Sequence, residues 1–343
     1  MIDWWLILDK VILVVIIFTI SLAIAAYSTY GERKVAAFLQ DRIGPNRAGP
    51  FGLLQPLADG VKFFLKEEIT PSSSDKFLFM LGPCIFMMTA LMTSAIIPWG
   101  KPLYFGDHEF GLQVANLNVG ILYILAVVSI GGYGIMIGGW ASNNKFSLLG
   151  ALRASSQMIS YELPMGMAII AVLLMSGSLN IKEIVDQQQG FHWNVFYQPL
   201  GFIIFLVCAF AECNRTPFDL PESESELVGG YHTEYSSMKL GLFLFAEYIN
   251  MFISSAIIAC LFFGGYHFPG IDSLNLSPNL ASIVSIMVLF SKIFFFIFFF
   301  MWVRWTVPRF RYDQWMRLGW KVLIPLSILN VLATGAWLTF VKS

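Results

Sequence analysis

Eight long apolar runs constrain this 343-residue chain more than any other feature. A helix needs about 20 consecutive apolar residues to cross the hydrocarbon core of a bilayer. The runs fall at about 4–28, 77–98, 117–140, 162–178, 196–212, 239–264, 281–303 and 321–340, with 162–178 among the shortest. They predict an all-α polytopic membrane protein with eight transmembrane helices, forming one membrane domain over 1–343 with both termini on the same side. Composition agrees: 57% of residues are hydrophobic and only 13% charged, against about 25% charged in a soluble domain that must wet its whole surface. The first run follows Asp3 and is too long for the apolar core of a signal peptide, so it reads as a first span.

The charge in the connections sets orientation, because Lys and Arg collect on the cytoplasmic side. Arg33, Lys34, Arg42, Arg47, Lys62 and Lys66 follow the first run; Lys145 and Arg153 follow the third; Arg304, Arg309, Arg311 and Arg317 follow the seventh. The alternate connections hold only Lys101 and Lys182. The odd-to-even connections are therefore expected on the cytoplasmic side and both termini outside. Within the first connection, Leu54, Leu57, Val61, Phe64 and Leu65 recur at helical spacing opposite Gln55, Asp59, Lys62 and Lys66. This predicts an amphipathic helix at about 52–67, lying in the membrane interface or packed on the cytoplasmic face. Gly131, Gly134 and Gly138 share one face of the third run, a spacing that lets another helix approach closely. The aromatic run Phe294 to Phe300 reads as lipid-facing and helix-packing bulk.

Several chemistries are excluded. Cys84, Cys208, Cys213 and Cys260 are scattered without a CxxC pair, against a zinc ribbon or an iron–sulfur cluster. His108, His192, His232 and His267 lie mostly between the runs, so no redox centre or metal site is expected on this chain. Net charge of −1 gives no reason to expect nucleic acid. No Walker loop, GxGxxG turn or nucleophile–base pair is present, so the chain is not expected to catalyse alone.

A charge within a bilayer costs at least ~2.5–3.5 kcal/mol on insertion scales, so each one inside an apolar run invites a functional reading. Glu162 opens the fourth run, where a helix N-terminus suits a carboxylate; Glu212 ends the fifth, where it does not. Glu247 lies inside the sixth and Lys292 inside the seventh, the lysine needing a carboxylate partner or a watery cavity. The connection at 213–238 is acidic although it falls on the basic side: Asp219, Glu222, Glu224, Glu226 and Glu234 are opposed only by Arg215 before Lys239. Interleaved Pro217, Phe218, Leu220, Leu227 and Val228 point to a partly buried loop. Carboxylates crowded in low dielectric cannot all ionise and titrate as a coupled set. Such a set can pass protons or bind a cation, although no EF-hand spacing is present. Glu32, Arg33 and Arg42 follow the first run, where positive-inside anchoring is the plainer reading and a place in a site the alternative.

Five stretches together resemble one family: YGERKVAAFLQDRIGPNRAGPFGLLQPLADGVKFFLKE (30–67), LLGALRASSQMISYELP (148–164), AECNRTPFDLPESESELVGGYHTEY (211–235), FAEYIN (245–250) and RWTVPRFRYDQWMRLGWK (304–321). They resemble, in order and over most of the chain, the membrane subunit known as subunit 1, or the H subunit, of complex I, the proton-translocating NADH–quinone oxidoreductase. That resemblance implies an outside N-terminus and a quinone chamber framed by the first helix, the amphipathic helix and the sixth helix. The length of the chain favours a bacterial inner membrane, with periplasmic termini, over an organellar one. Its quinone-binding residues would be Glu32, Arg33, Arg42, Asp59, Lys62, Arg215 and Tyr248. A proton route would use Glu162, Glu212, Asp219, Glu222, Glu224, Glu226, Glu234 and Glu247, with Lys292, Arg304 and Arg309 balancing charge. Quinone would be the substrate, while NADH, FMN and iron–sulfur clusters would belong to partner subunits. Those partners would be the hydrophilic quinone-site and iron–sulfur subunits, small membrane subunits and antiporter-like subunits. Trp305 and Trp315 stand where the family commonly has a small residue and leucine, which would alter packing against a partner. The alternatives are the equivalent subunit of a membrane-bound hydrogenase-type complex, or a stand-alone secondary transporter, whose ion ligands would sit nearer the midplane.

Overall fold

A computed structural model describes residues 4–106, 108–222, 224–270 and 277–342. The helices are, in order, α1 (Trp4–Leu39), α2 (Gln55–Leu65), α3 (Lys76–Thr93), α4 (Gly120–Ala141), α5 (Lys145–Ser176), α6 (Ile181–Gln187), α7 (Asn194–Tyr197) and α8 (Pro199–Glu212). The short α9 (Glu224–Leu227) precedes α10 (Ser237–Phe262), α11 (Pro278–Thr306), α12 (Tyr312–Arg317) and α13 (Ile324–Lys342). An antiparallel pair, β1 (Leu103–Phe105) and β2 (His108–Phe110), closes the connection between α3 and α4. Among the described residues seven helices are long and apolar enough to cross a membrane, and α8 is a shorter apolar one. At 1.5 Å per residue α8 is about 21 Å long, short of the ~30 Å core.

Two helices run well beyond their apolar stretches. The first continues to Leu39, so Glu32 and Arg33 ride on a helix instead of a loop. The fifth begins at Lys145, with the Asn144 side chain accepting from the Phe146 N–H. Its first half is rich in small residues (Gly150, Ala151, Ala154, Ser155, Ser156), which lowers its hydropathy while letting neighbours pack closely. The apolar run at 162–178 is only the second half of this helix.

At the centre is α10, packed against α1, α3, α8 and α11, while α5 packs against α4, α8 and α13. Two-thirds (67%) of the most apolar window of α10 is buried inside the protein, against 22% for the last span, so the outer helices present their apolar faces outward. The close approach expected of the third run is made by α3 on α4: a Cβ on Gly82 would lie 2.7 Å from the Gly138 Cα. The aromatic run divides its labour, with Phe294, Phe295 and Phe298 exposed and Phe296 and Phe300 buried. Trp315 is fully buried, and its carbonyl accepts from the Tyr161 hydroxyl at 2.9 Å, so it packs this chain's own interior.

Leu54, Leu57, Val61, Phe64 and Leu65, on and just before the amphipathic α2, are all exposed, so its apolar stripe is turned away from the rest of this chain. Its other side is tied to the start of α10, where the Ser237 hydroxyl donates to the Phe63 carbonyl at 2.9 Å.

A charged candidate site at the basic end

The C-terminal ends of α1 and α11 and the loop after α8 meet the first half of α10 at one end of the bundle, and four side chains from them converge there. Glu32 on α1 is buried and accepts from Arg215 Nη1 at 3.1 Å, from the Tyr248 hydroxyl at 2.9 Å and from Arg304 Nη1. The Arg215 guanidinium lies 4.0 Å from the centre of the Tyr248 ring, an arrangement that adds cation–π attraction. Two guanidiniums, buried Arg215 and partly exposed Arg304, share the one carboxylate of Glu32. Moreover, Arg215 Nε and Nη2 are buried and have no hydrogen-bond partner.

Beside this node lies a cavity of 280 Å³ between α1, α2 and α10. Glu32, Arg33, Asp59, Lys62, Phe63 and Tyr248 line it, so five of the seven expected quinone-binding residues share one cavity wall. Asp59 pairs with Arg33 at 2.8 Å and approaches Lys62 at 3.8 Å. Arg215 stands behind the wall on Glu32. Arg42 does not join: its Nε donates to Gln40 at 2.8 Å on the exposed turn after α1.

A second, more polar cavity of 270 Å³ is lined by Thr216, Asp219, Glu222, His232, Arg304, Trp305 and Arg309. Arg304 thus lines this cavity while holding Glu32, the carboxylate of the first. Asp219 pairs with Arg309 at 2.7 Å, and its other oxygen is buried without a partner. Burial and the negative charge of Glu222 push the Asp219 carboxyl up to about 7, against the opposing pull of Arg309. Deeper in, the Tyr231 hydroxyl donates to Glu247 at 2.7 Å and lies 3.5 Å from Glu222 Oε1. Burial, and then the charges of Glu247 and Glu222, raise the Tyr231 phenol, which keeps it a neutral donor between two carboxyl groups.

The eight acids expected on a proton route therefore divide. Asp219, Glu222 and Glu247 form the cluster just described. Glu162 on α5 and Glu212 on α8 lie within electrostatic reach of each other, and one Glu212 oxygen is buried without a partner. Glu226 pairs with Arg153 at 2.6 Å and Glu234 accepts from the Asn144 amide, so both tie the loop to the start of α5. The side chain of Glu224 lies outside the described residues. Of the charge-balancing residues, Arg309 meets the acidic cluster and Arg304 meets Glu32. Lys292 meets neither: its ammonium donates to the carbonyls of Phe263, Gly265 and His267 at 2.7, 2.7 and 2.6 Å, at the far end of α10. The end of a helix offers unsatisfied carbonyls and the negative end of its dipole, which suit a cation without any carboxylate. Tyr231, His232 and Thr216 joined the site without being singled out; their place inside the acidic loop was the available signal. Among the described residues no three His, Cys, Asp or Glu side chains gather as a metal site.

Fold and site together define an all-helical, multi-pass membrane protein with coupled buried charges around two polar cavities at one end. A family model described as NADH dehydrogenase matches residues 11–335. The chain is 68% identical over 329 residues to an NADH-quinone oxidoreductase H subunit of Cytophaga hutchinsonii, with 96% of each chain covered. It is 63% identical over 338 residues to the H subunit of Flavobacterium psychrophilum, with 98% of each covered. It is 49% identical over 336 residues to an H subunit of Geobacter metallireducens, covering 95% of this chain and 94% of that one. The chain belongs to this family, the H subunits of the NADH-quinone oxidoreductase enzyme complex.

Proposed function

We propose that this chain walls part of a quinone chamber and couples quinone reduction to proton translocation through its buried carboxyl groups. The observation that carries this reading is the convergence of Arg215, Arg304 and Tyr248 on buried Glu32 beside the 280 Å³ cavity. A quinone headgroup gains negative charge or takes up protons as it is reduced, and two guanidiniums on one carboxylate, with spare N–H groups on Arg215, favour that change. Partner subunits carrying flavin and iron–sulfur clusters would supply the electrons from NADH. When charge in the chamber changes, Glu32 shifts its hold on Arg215 and Arg304. Arg304 carries that shift to the second cavity, and Arg215 carries it to Glu247, which it reaches electrostatically. Glu247, Tyr231, Glu222 and Asp219 then redistribute protons, with Glu212 and Glu162 leading toward antiporter-like partners.

In this reading the eight apolar helices form one membrane domain in a bacterial inner membrane, with the basic end cytoplasmic and both termini periplasmic. The hydrophilic quinone-site and iron–sulfur subunits dock on the basic end, and small membrane subunits flank the bundle. Arg215→Leu tests the chamber. Removing one partner of a buried pair costs about 3–5 kcal/mol, and quinone reduction by the assembled complex is expected to fall at least tenfold with a raised KM for quinone. An unchanged kcat and KM in a fully assembled Arg215→Leu complex would overturn the chamber assignment.

A further inference from the structure

The four histidines of this chain are not alike. His108 Nε2 bonds Asp9 at 2.7 Å, His192 Nδ1 bonds the Tyr197 hydroxyl at 2.9 Å, and His267 Nε2 bonds Asp186 at 3.2 Å. His232 instead has a buried Nδ1 with no hydrogen-bond partner, 3.9 Å from Glu222 Oε1. That distance is too long for a hydrogen bond and makes an ion pair only when the ring is protonated. A buried imidazole nitrogen without a partner carries a desolvation cost.

The position is built. His232 ends the tight turn Gly230–His232, which rests on α5 where Gly150 lacks a side chain; a Cβ there would lie 2.6 Å from the Tyr231 nitrogen. Pinning this turn sends the Tyr231 hydroxyl inward to Glu247 and leaves the His232 ring on the wall of the 270 Å³ polar cavity. The Thr233 hydroxyl is turned back to the Gly230 carbonyl at 2.7 Å. The charged and titratable groups around the ring are Glu222, Asp219 and Tyr231 from the loop, and Arg304 and Arg309 at and beyond the end of α11. Glu247 on α10 lies one residue deeper, and Arg153 on α5 is held by Glu226.

We propose that His232 is a proton-relay residue, through which the polar cavity exchanges protons with Glu222 and so with Glu247. This deepens the proton route proposed above and rests on it. Starting with its proton on Nδ1, the ring takes a second proton at Nε2 from a hydronium in the cavity and gives the Nδ1 proton to the Glu222 carboxylate. It is left neutral with its proton on Nε2, and resets when that proton returns to cavity water and Nδ1 is reprotonated. Glu222 then shares the proton with Glu247, beside the neutral Tyr231 phenol; no electrons move. Histidine suits the step because its two ring nitrogens can accept a proton on one side and release one on the other.

The test uses the intact complex carrying His232→Ala in proteoliposomes, with NADH oxidation by an artificial acceptor as the check of assembly. Coupled quinone reduction is expected to fall about tenfold, below the roughly 10²–10⁴-fold of a single acid–base group because water offers some bypass. The pH profile of coupled activity is expected to change shape, and added imidazole to restore part of the rate. His232→Asn carries the same test if the alanine variant does not assemble. A wild-type rate and pH profile would overturn the proposal, as would a uniform loss at every pH that imidazole does not relieve. Glu247→Gln, measured alongside, separates the two readings. If Glu247→Gln is impaired and His232→Ala is not, the relay alone fails; if Glu247→Gln is fully active, the route itself fails.

Discussion

The two ends of α10 treat buried charge in opposite ways. At the far end Lys292 donates to three main-chain carbonyls and lies 5.1 Å from the Trp193 ring centre, so each of its N–H groups has a partner. At the basic end Glu32, Arg215, Arg304, Tyr248, Glu222 and Glu247 hold one another, yet Arg215 Nε and Nη2, Asp219 Oδ1 and His232 Nδ1 remain unpartnered. A charge saturated by main chain has one stable arrangement and serves the fold. Charges shared among side chains, with bonding capacity left over beside a cavity, have several arrangements close in energy, and a substrate or proton can choose between them.

The sharpest way to break this contrast is Lys292→Met. Its carbonyl partners would be left in an apolar setting, each unsatisfied group costing about 1–3 kcal/mol, so thermal stability of the complex should drop markedly. The KM for quinone and the protons moved per turnover in what assembles should stay unchanged. A stable Lys292→Met complex with altered coupling would place both ends in the same functional class. A smaller effect is expected of Asp219→Asn. Because the carboxyl of Asp219 is raised from 3.8 to about 7, the folded protein binds its proton more tightly than the unfolded chain does. That contribution to stability is fully present below about pH 4 and is lost as pH rises through about 7. Asp219→Asn should remove this slope from a thermal-stability profile and abolish a carboxyl infrared band titrating near neutrality; an identical slope and band would count against the assignment. The smallest effect belongs to Arg42→Ala. Arg42 shares the basic end but is exposed and bonded to its neighbour Gln40, so stability should move by less than about 0.5 kcal/mol in thermal unfolding.

What the sequence reveals follows the same division. Hydropathy reports surfaces that face lipid, so the apolar runs, the outward stripe of α2 and the split aromatic run of α11 were legible. It is blind to helix that packs on protein: the first half of α5 is small and polar, and the extension of α1 through Glu32 and Arg33 follows the end of an apolar run. The Gly134 and Gly138 spacing announced a close crossing, though not that α3 would make it. In the site, Glu247 stood out because a carboxylate inside a span is expensive. The grouping of the acids did not, since Glu32 meets Arg215 and Tyr248 across 183 and 216 positions of sequence. Nor did Lys292 disclose its partners, because main-chain carbonyls at a helix end carry no residue signature.

The central claim is that the buried carboxyl cluster at the basic end couples quinone reduction to proton movement. It is tested most directly by counting protons per electron in proteoliposomes that contain the complex with Glu247→Gln. Coupled quinone reduction and pumping should both fall at least about tenfold, while NADH oxidation by an artificial acceptor stays at the wild-type rate. Wild-type turnover with wild-type pumping would contradict it.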